Sequence, residues 1–236
     1  MISIKSLLKD AASIILPRNC PVCDAPLDRD ERFVCRKCLM GLPLTHYHEI
    51  EFNPMEQLFA GTIPIERAAA YFHYEKGSDY ASLLHDLKYR NRPQLGRWLA
   101  ARAATLMEPH GMWQGIDVMI PVPLHITKLA KRGYNQSQYI ARGIADVTGI
   151  AVKPWLKATE AHASQTHKGQ LARLENARGI YRPTRNAAPL AQAGHVLIVD
   201  DVVTTGATLL SCATALLHDY PQLKISFFTL AAARLD

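Results

Sequence analysis

The residues of this sequence best suited to chemistry are two adjacent carboxylates followed by a run of hydroxyl side chains. Asp200 and Asp201 follow the branched apolar run 196–199, and the helix-permissive segment 209–217 comes after them. A Thr/Gly loop at a helix start offers unpaired N–H groups, hydroxyls and the positive end of the helix dipole, which suit a phosphate. The carboxylates can accept hydrogen bonds from sugar hydroxyls. The pattern predicts a sugar-phosphate site, with the 5′-phosphate on Thr204, Thr205, Gly206, Ala207 and Thr208.

A purely structural role is the alternative for this segment. Asp and Thr are favoured at turns and helix starts, so a capped helix after a buried strand explains one of each. It does not explain two acids, three threonines and a glycine together. They also follow a predicted strand, where open α/β sheets bind their ligands. The sugar-phosphate interpretation is therefore preferred.

A second strand, loop and helix unit precedes the first. Residues 118–122 are apolar, a basic loop over 128–137 follows, and Ile140 and Ile144 mark a helix. Two such units imply a parallel sheet whose loops emerge at the same edge, so both loops can meet one ligand. A lone histidine is more often structural, but nearby cations favour a ligand role here. The predicted pyrophosphate contacts of this unit are Leu124, His125, Lys131 and Arg132.

The segments before this unit complete the predicted core. Residues 68–74 are strand-like, a helical pattern opens at Ser78, and Pro93 starts another helix that runs to about residue 107. The stretch 88–92 is basic and aromatic and could contact nucleic acid or a phosphate, although a solvated helix connection is the preferred interpretation. Residues 46–61 have no sustained period and predict a linker or an irregular cover. We therefore predict one unit over residues 1–60 and another over residues 61–236.

Four of the five cysteines form two CxxC pairs separated by eleven residues. Each pair can place two thiolates on one tetrahedral ion, so the spacing predicts a closed structural zinc site. Disulfides are the alternative, which a reducing compartment disfavours. Cys212 lies apart in the apolar segment 209–217 and is predicted to be a core residue. The predicted zinc ligands are Cys20, Cys23, Cys35 and Cys38.

Composition and charge limit the function classes. The chain of 236 residues is 48% hydrophobic and 20% charged, an ordinary globular composition, and no apolar run is long enough to span a bilayer. Residues 1–16 predict an amphipathic helix rather than a signal peptide, so a cytoplasmic location is expected. The net charge is +6, and residues 61–236 hold twenty basic against thirteen acidic side chains. A basic body suits an anionic ligand or nucleic acid, and an ordinary solvated surface is the alternative.

The segment 200–208, DDVVTTGAT, resembles the phosphoribosyl pyrophosphate (PRPP) motif of type I phosphoribosyltransferases. PVPLH at 121–125 and KRGYNQS at 131–137 narrow the resemblance to the ComF/GntX family, as do HDLKY at 85–89 and the cysteine pairs. The resemblance implies an α/β fold of the type I phosphoribosyltransferase kind, a mainly parallel sheet flanked by helices, with a small N-terminal zinc ribbon. It also implies Mg²⁺ bound together with PRPP.

The residues from 164 resemble the flexible catalytic loop of these enzymes, which implies pyrophosphate contacts from Gln165 and Lys168. The chain departs from the family at 158–162, where ATEAH stands in place of the usual arginines, and this weakens the predicted clamp. In type I enzymes a variable hood recognises the base. Here it would come from the zinc segment and residues 46–80, which carry no readable base-binding motif.

Two function classes follow from the sequence. The first is a phosphoribosyltransferase, a glycosyltransferase in which Asp200 and Asp201 hold the ribose hydroxyls and stabilise positive charge at C1′ while pyrophosphate leaves. The second is a non-catalytic ComF-type accessory of DNA uptake in natural competence, which binds a nucleotide or single-stranded DNA. The acceptor and the oligomeric state are not encoded in any pattern that we recognise.

Overall fold

The computed structural model describes residues 18–159 and 180–234, so the helix predicted over 1–16 lies outside the described residues. Where the sequence predicted an element within these ranges, its bounds fall within a few residues of the prediction, whereas the strand Lys224–Ala233 was not predicted. The α-helices of the described ranges are α1 (Arg36–Met40), α2 (Pro54–Gln57), α3 (Ala81–Tyr89), α4 (Pro93–Met107), α5 (Ile126–Arg132), α6 (Gln136–Thr148) and α7 (Ala207–Asp219). The strands are β1 (Arg67–Tyr74), β2 (Val118–Pro121), β3 (Ala151–Val152), β4 (Leu156–Ala158), β5 (Tyr181–Pro183), β6 (His195–Val203) and β7 (Lys224–Ala233).

The core is a five-stranded sheet in the order β1-β7-β6-β2-β3, and every neighbouring pair in it is parallel. Strands β4 and β5 form a separate antiparallel pair. Parallel sheets are covered by helices on both faces, and their strands are accordingly almost continuous apolar runs. Residues 196–199 and 227–228 are fully buried. The α/β class and the parallel sheet expected from the sequence are confirmed.

Strand β6 is longer than the apolar run that predicted it. The run 196–199 was expected to end at the carboxylates, but Asp200 pairs with Thr229 and Val202 pairs with Ala231 of β7. The two acids therefore lie near the carboxyl end of the strand itself, and not in the loop after it. The ladder to β7 continues past the apolar residues because backbone pairing is independent of side-chain type.

Helices α4 and α6 pack very closely on one side of the sheet. A Cβ atom at Gly143 would lie 2.1 Å from the carbonyl oxygen of Arg97, so only glycine allows this approach. The Arg97 guanidinium also bonds the Asp146 carboxylate through Nε and Nη2, each at 2.6 Å. This contact fixes α6, and the start of α6 reaches the carboxylates of β6.

Two segments differ from their sequence-based descriptions. The basic stretch predicted as a loop contains helix α5, which ends at Gly133 with φ of 81°. Residues 46–61 form a cover, one of the two predicted alternatives, but a regular and packed one: Asn53 starts α2 with a capping box, and Phe59 packs on Phe227 with ring centroids 4.4 Å apart. Short polar side chains that cap a helix carry no hydrophobic period, which is why this segment looked irregular.

Candidate functional site

The carboxyl ends of β2 and β6 open on a cleft of about 750 Å³. Ligands of open parallel sheets bind at this edge, beyond the carboxyl ends of the strands. Its lining comes from four stretches that are far apart in the sequence (88–91, 122–136, 181 and 200–208), so the tertiary fold assembles it. The lining residues are Lys88, Tyr89, Asn91, Val122, Pro123, Leu124, His125, Lys128, Lys131, Arg132, Gln136, Tyr181, Asp200, Asp201, Val202, Thr204 and Thr208.

Asp200 is held in one orientation by two hydrogen bonds to a single oxygen. Its Oδ1 accepts from the Ser137 hydroxyl at 2.9 Å and from the Asp201 amide at 2.8 Å. Ser137 is positioned by Asn135, whose side chain caps α6 by accepting from the Ser137 amide and also donates to the carbonyl of Val122. The capped start of α6 therefore fixes the carboxylate at the end of β6.

Burial raises the pKa of Asp200, and the adjacent negative charge of Asp201 raises it further. The hydrogen bonds from the Asp201 amide and Ser137 and the positive charge of Lys88 act in the opposite direction but do not cancel this effect. Only 8% of Asp200 is exposed. A carboxyl group with a raised pKa in a cleft is a common property of binding and catalytic sites.

Asp201 has one partnered and one unpartnered oxygen. Its Oδ1 lies 3.0 Å from Lys88 Nζ, whose side chain is 22% exposed. Its Oδ2 is buried and has no hydrogen-bond partner among the residues that the structure describes. An unpaired buried carboxylate oxygen is costly, so it points to a donor or a cation supplied by a ligand.

The loop after β6 leads into helix α7 and borders the cleft. Gly206 has φ of 72° and occupies the N-cap position of α7. Because glycine has no side chain to accept a hydrogen bond, the first N–H groups of the helix face outward from its start without a side-chain cap. A Cβ at this position would lie 3.0 Å from the Phe59 ring. Thr204 and Thr208 line the cleft, whereas Thr205 and Ala207 are exposed residues of the same loop and helix start that do not line it.

Helix α5 brings a basic rim to the opposite side of the cleft. Lys131 and Arg132 lie in its last turn. Arg132 donates to the Gln136 side chain and lies over the Tyr89 ring, 5.6 Å from the ring centroid. His125 caps the start of α5 and its Nδ1 lies 2.9 Å from the Thr127 hydroxyl, so it is both a lining residue and a structural cap.

The stretch 88–92 is a mostly exposed connection between α3 and α4, as the preferred interpretation expected. Three of its residues, Lys88, Tyr89 and Asn91, also line the cleft. Arg90 and Arg92 do behave as expected of a helix connection, because both lie within 3.4 Å of the Asp86 carboxylate. The Tyr134 hydroxyl bonds the carbonyl of Leu87 and so fixes α3 against the KRGYNQS segment. The resemblance at 85–89 was the signal for this role.

Two other expectations concern residues around the cleft. Gln165 and Lys168 lie outside the described residues, so their predicted pyrophosphate contacts stay predictions. The hood was expected from the zinc segment and residues 46–80, but none of the described residues of those segments lines the cleft. Phe59 supports the phosphate loop from behind instead.

The four predicted zinc ligands lie together in the described part of the chain. Their Sγ atoms are all within 4.8 Å of one another. Cys23 Sγ and Cys35 Sγ are 3.7 Å apart, which matches the edge of about 3.8 Å in a tetrahedron with Zn–S bonds of about 2.3 Å. All four are free thiols and not disulfides. The cluster therefore has the ligands and the geometry of a zinc ribbon.

Hydrogen bonds and burial tune the thiols of this cluster differently. Burial raises the pKa of Cys20, but the backbone amides of Cys35, Cys23 and Val22 outweigh it and lower the pKa to about 7. Amide donors stabilise thiolate, the form that binds metal. Burial and the neighbouring thiols raise the pKa of Cys38. Cys212 is fully buried and lies outside the cluster, which confirms its prediction as a core residue.

The fold and the two sites define a parallel α/β protein with a four-cysteine cluster and a cation-lined cleft at the sheet edge. No family model matches the chain. The chain is 29% identical over 211 residues to DNA utilization protein YhgH of Escherichia coli strain K12, which covers 85% of this chain and 84% of that protein. The protein of the same name from Salmonella typhimurium strain LT2 is 29% identical over 208 residues, with the same shares.

The match to a third relative covers almost the whole length of that relative. The DNA utilization protein YhgH of Salmonella typhi is 27% identical over 226 residues, which covers 87% of this chain and 93% of that protein. The chain is thus similar to these proteins over most of its length. None of the helices in the described ranges is both long and apolar enough to cross a membrane.

Proposed function

We propose that this chain is a ComF/GntX-type protein of DNA utilization whose cleft binds a nucleotide or the 5′-phosphorylated end of single-stranded DNA. One observation carries the proposal: Asp201 Oδ2 is a buried carboxylate oxygen with no partner among the described residues. The Asp201 side chain lines the same cleft as Thr204 and Thr208 of the loop after β6. The 3′-hydroxyl of a free nucleotide supplies the missing donor, whereas the 5′-terminal sugar of a DNA strand has no free hydroxyl and a base amino group would have to supply it. The name of these relatives, DNA utilization protein, supports the role in DNA utilization.

The charges around the cleft support an anionic ligand. Four cationic side chains line it against two carboxylates, and the cations are Lys88, Lys128, Lys131 and Arg132. Thr204 and Thr208 offer hydroxyls beside the N–H groups at the start of α7, which together suit the 5′-phosphate. The cations on α5 would then face the next phosphate or the leaving group.

An aromatic surface beside the cations supports binding of a base. Tyr89 is 68% exposed although it lines the cleft, and Arg132 lies over its ring. Exposed aromatic rings next to cations are platforms on which bases stack, at about 1–3 kcal/mol per base. We therefore assign base contact to Tyr89 and not to a hood from residues 46–80.

Phosphoribosyl transfer is a second candidate, favoured by the pair of carboxylates beside the threonine loop. PRPP carries its own leaving group, so the protein only has to hold the ribose, stabilise charge at C1′ and exclude water. Asp200 and Asp201 would accept from the ribose hydroxyls, and Lys131 and Arg132 would meet the pyrophosphate. A Mg²⁺ ion bound with PRPP would neutralise its phosphates, and Asp201 Oδ2 is the protein oxygen available to it.

The test compares ligands on one zinc-loaded protein. Calorimetry measures PRPP with Mg²⁺, a deoxynucleoside 5′-monophosphate, and a short single-stranded oligonucleotide with either a 5′-phosphate or a 5′-hydroxyl. We expect Asp201→Asn to weaken every ligand that binds in the cleft, and the 5′-phosphate to strengthen oligonucleotide binding at least tenfold. Lys76→Ala is the control, because Lys76 is exposed and does not line the cleft.

The outcomes separate the two candidates. Tight PRPP binding with pyrophosphate release on addition of a base would favour transfer, whereas oligonucleotide binding without turnover would favour the accessory role. Binding to single strands should fall with salt with a log–log slope of about −3, from four cations at about −0.7 each. Equal binding by the intact protein and Asp201→Asn for all ligands would refute the cleft as the site.

We further propose that residues 1–60 are the zinc-binding unit and residues 61–236 the ligand-binding unit, and that the protein acts in the cytoplasm. A four-thiolate zinc site needs reduced cysteines, which supports a reducing compartment. Packing of Phe59 on Phe227 and the bridge between Leu44 and Phe72 support close association of the two units. Limited proteolysis of the zinc-loaded and the metal-free protein tests the boundary.

A further inference from the structure

A second group of metal-binding side chains lies at the other end of the sheet from the cleft. The short turn Tyr47–Glu49 carries His48 and Glu49, and the turn Glu108–His110 after α4 carries His110. One ligand atom from each of these three side chains lies within 4.8 Å of the others. The Arg67 guanidinium, at the amino end of β1, donates to the carbonyl of His110 at 2.7 Å. The group therefore sits at the amino edge of the sheet.

His48 is the observation that points to a ligand. Its side chain is 0% exposed, and neither ring nitrogen has a hydrogen-bond partner among the described residues. A buried imidazole with two unpaired nitrogens is unfavourable, because each polar atom has lost its water without replacement. Nε2 lies 3.4 Å from Glu49 Oε1, and the His48 and His110 rings meet edge to face with centroids 4.9 Å apart.

The surroundings suit a cation that prefers nitrogen ligands. The three side chains line a cavity of about 400 Å³. One arginine lines it, Arg67, against four glutamates: Glu49, Glu51, Glu56 and Glu66.

The remaining ligand geometry needs only small adjustments. Zinc–nitrogen and zinc–oxygen bonds of about 2.0–2.2 Å bring ligand atoms to within about 4 Å of each other. Glu49 and His110 are exposed, so no packed core opposes a shift of this size. His46 Nδ1 lies 2.8 Å from Glu49 Oε1 and so orients the carboxylate, as outer partners of metal ligands do.

We propose that His48, Glu49 and His110 bind a divalent transition-metal ion such as Zn²⁺, at a site separate from the four-cysteine cluster. Two imidazoles and one carboxylate leave at least one position for water, so the ion would be held less tightly than in the cysteine site. The ion ties the cover segment 46–53 to the end of α4. Its function is to stabilise that connection, beyond the ligand-binding function proposed for the cleft.

Cobalt tests this site in protein whose cysteine cluster already holds zinc. Co²⁺ bound to nitrogen and oxygen gives weak visible bands, whereas Co²⁺ bound to thiolates adds strong near-ultraviolet charge transfer. We expect one further equivalent of Co²⁺ to bind without the thiolate absorption. Zn²⁺ should compete for it, and excess Zn²⁺ should raise the Tm because it binds only the folded chain.

Two variants of exposed ligands keep the test independent of folding. His110→Ala and Glu49→Gln should weaken Co²⁺ binding at least tenfold and remove the rise in Tm. His218→Ala is the matched control, because His218 also pairs with a carboxylate, Asp219 at 2.8 Å, but lies outside the cluster. Absence of a further equivalent, thiolate absorption by the added Co²⁺, or unchanged affinity in His110→Ala would each overturn the proposal.

Discussion

The cysteine cluster and the cleft are built in opposite ways. The cluster takes all four ligands from residues 20–38, two from each CxxC pair. The cleft takes its charged side chains from α3, α5 and β6, which lie up to about a hundred residues apart in the chain. A site closed by local spacing can form as soon as its ion binds, whereas the cleft exists only when the sheet and both helices are in place.

Substitution of one cluster cysteine should have the largest effect on the molecule. Cys35→Ser removes a thiolate that lies 3.7 Å from Cys23 Sγ and also accepts from the Cys38 amide. Structural zinc is worth about 10–16 kcal/mol in small zinc modules, so we expect the zinc that survives EDTA treatment to fall from about one ion per chain to near zero. Atomic emission measures the zinc, and far-ultraviolet circular dichroism tests whether the sheet persists.

The control for this change is Cys212→Ala, which alters a buried cysteine outside the cluster and should retain the zinc. Full zinc content in Cys35→Ser would show that the ribbon does not need all four thiolates. Loss of the sheet signal together with the zinc would show that the two regions fold as one unit. The cluster would then not form independently of the sheet and the cleft.

Lys88→Met should have the largest effect on the cleft. It leaves Asp201, which is 3% exposed, without the cation 3.0 Å from its Oδ1. Loss of one partner from a buried ion pair costs about 3–5 kcal/mol, so the free energy of unfolding should fall by that order. Urea denaturation of the single variants and of Lys88→Met/Asp201→Asn measures the coupling. We expect the double variant to recover most of the loss, and no recovery would rule out the ion pair as the cause.

Gly206→Ala should destabilise the protein by more than the backbone strain of a positive φ alone would. A non-glycine residue with positive φ costs about 1–2 kcal/mol, and the new Cβ would in addition press on the Phe59 ring at 3.0 Å. Gly61→Ala is the matched control, since Gly61 has φ of 73° but nothing within 4 Å of the added Cβ. Thermal denaturation should show a larger fall in Tm for Gly206→Ala than for Gly61→Ala. Equal falls in Tm would show that Phe59 does not support the loop.

Asp200→Asn should stabilise the fold, and by more at neutral than at acidic pH. The raised pKa means that the folded chain keeps this proton while the unfolded chain loses it near pH 3.9. The cost of the buried charge therefore grows as the pH rises from about 4 through the folded pKa. Asparagine keeps the acceptor for Ser137 without the charge, so we expect a gain on the order of 1 kcal/mol at pH 7 that vanishes near pH 3.

Asp117→Asn is the comparison of opposite sign. Hydrogen bonds from the amides of His195 and Gly194 lower the pKa of Asp117, so its stabilising effect is present above its unfolded pKa and is lost as the pH falls through its lower folded value. We expect Asp117→Asn to destabilise the fold at pH 7 and to be neutral in strong acid. Urea denaturation from pH 3 to pH 7 tests both variants, and the same sign for both would contradict the assigned causes.

Features that depend on local spacing could be predicted from the residues alone. The two CxxC pairs predicted the cysteine cluster, the apolar runs predicted β1, β2 and β6, and Pro93 correctly marked the start of α4. The loop 204–208 was located from its residue types, because a tight turn into a helix requires glycine and favours threonine. These features need only neighbours along the chain.

Which distant side chains contact each other follows from the tertiary structure. Lys88 reaches Asp201 because the Tyr134 hydroxyl fixes α3, and Ser137 reaches Asp200 because Gly143 lets α6 approach α4 closely. His48 and His110 meet only after the cover segment packs against β1. Contacts between residues far apart in the chain depend on how helices and strands pack in three dimensions, and residue spacing alone does not specify that packing.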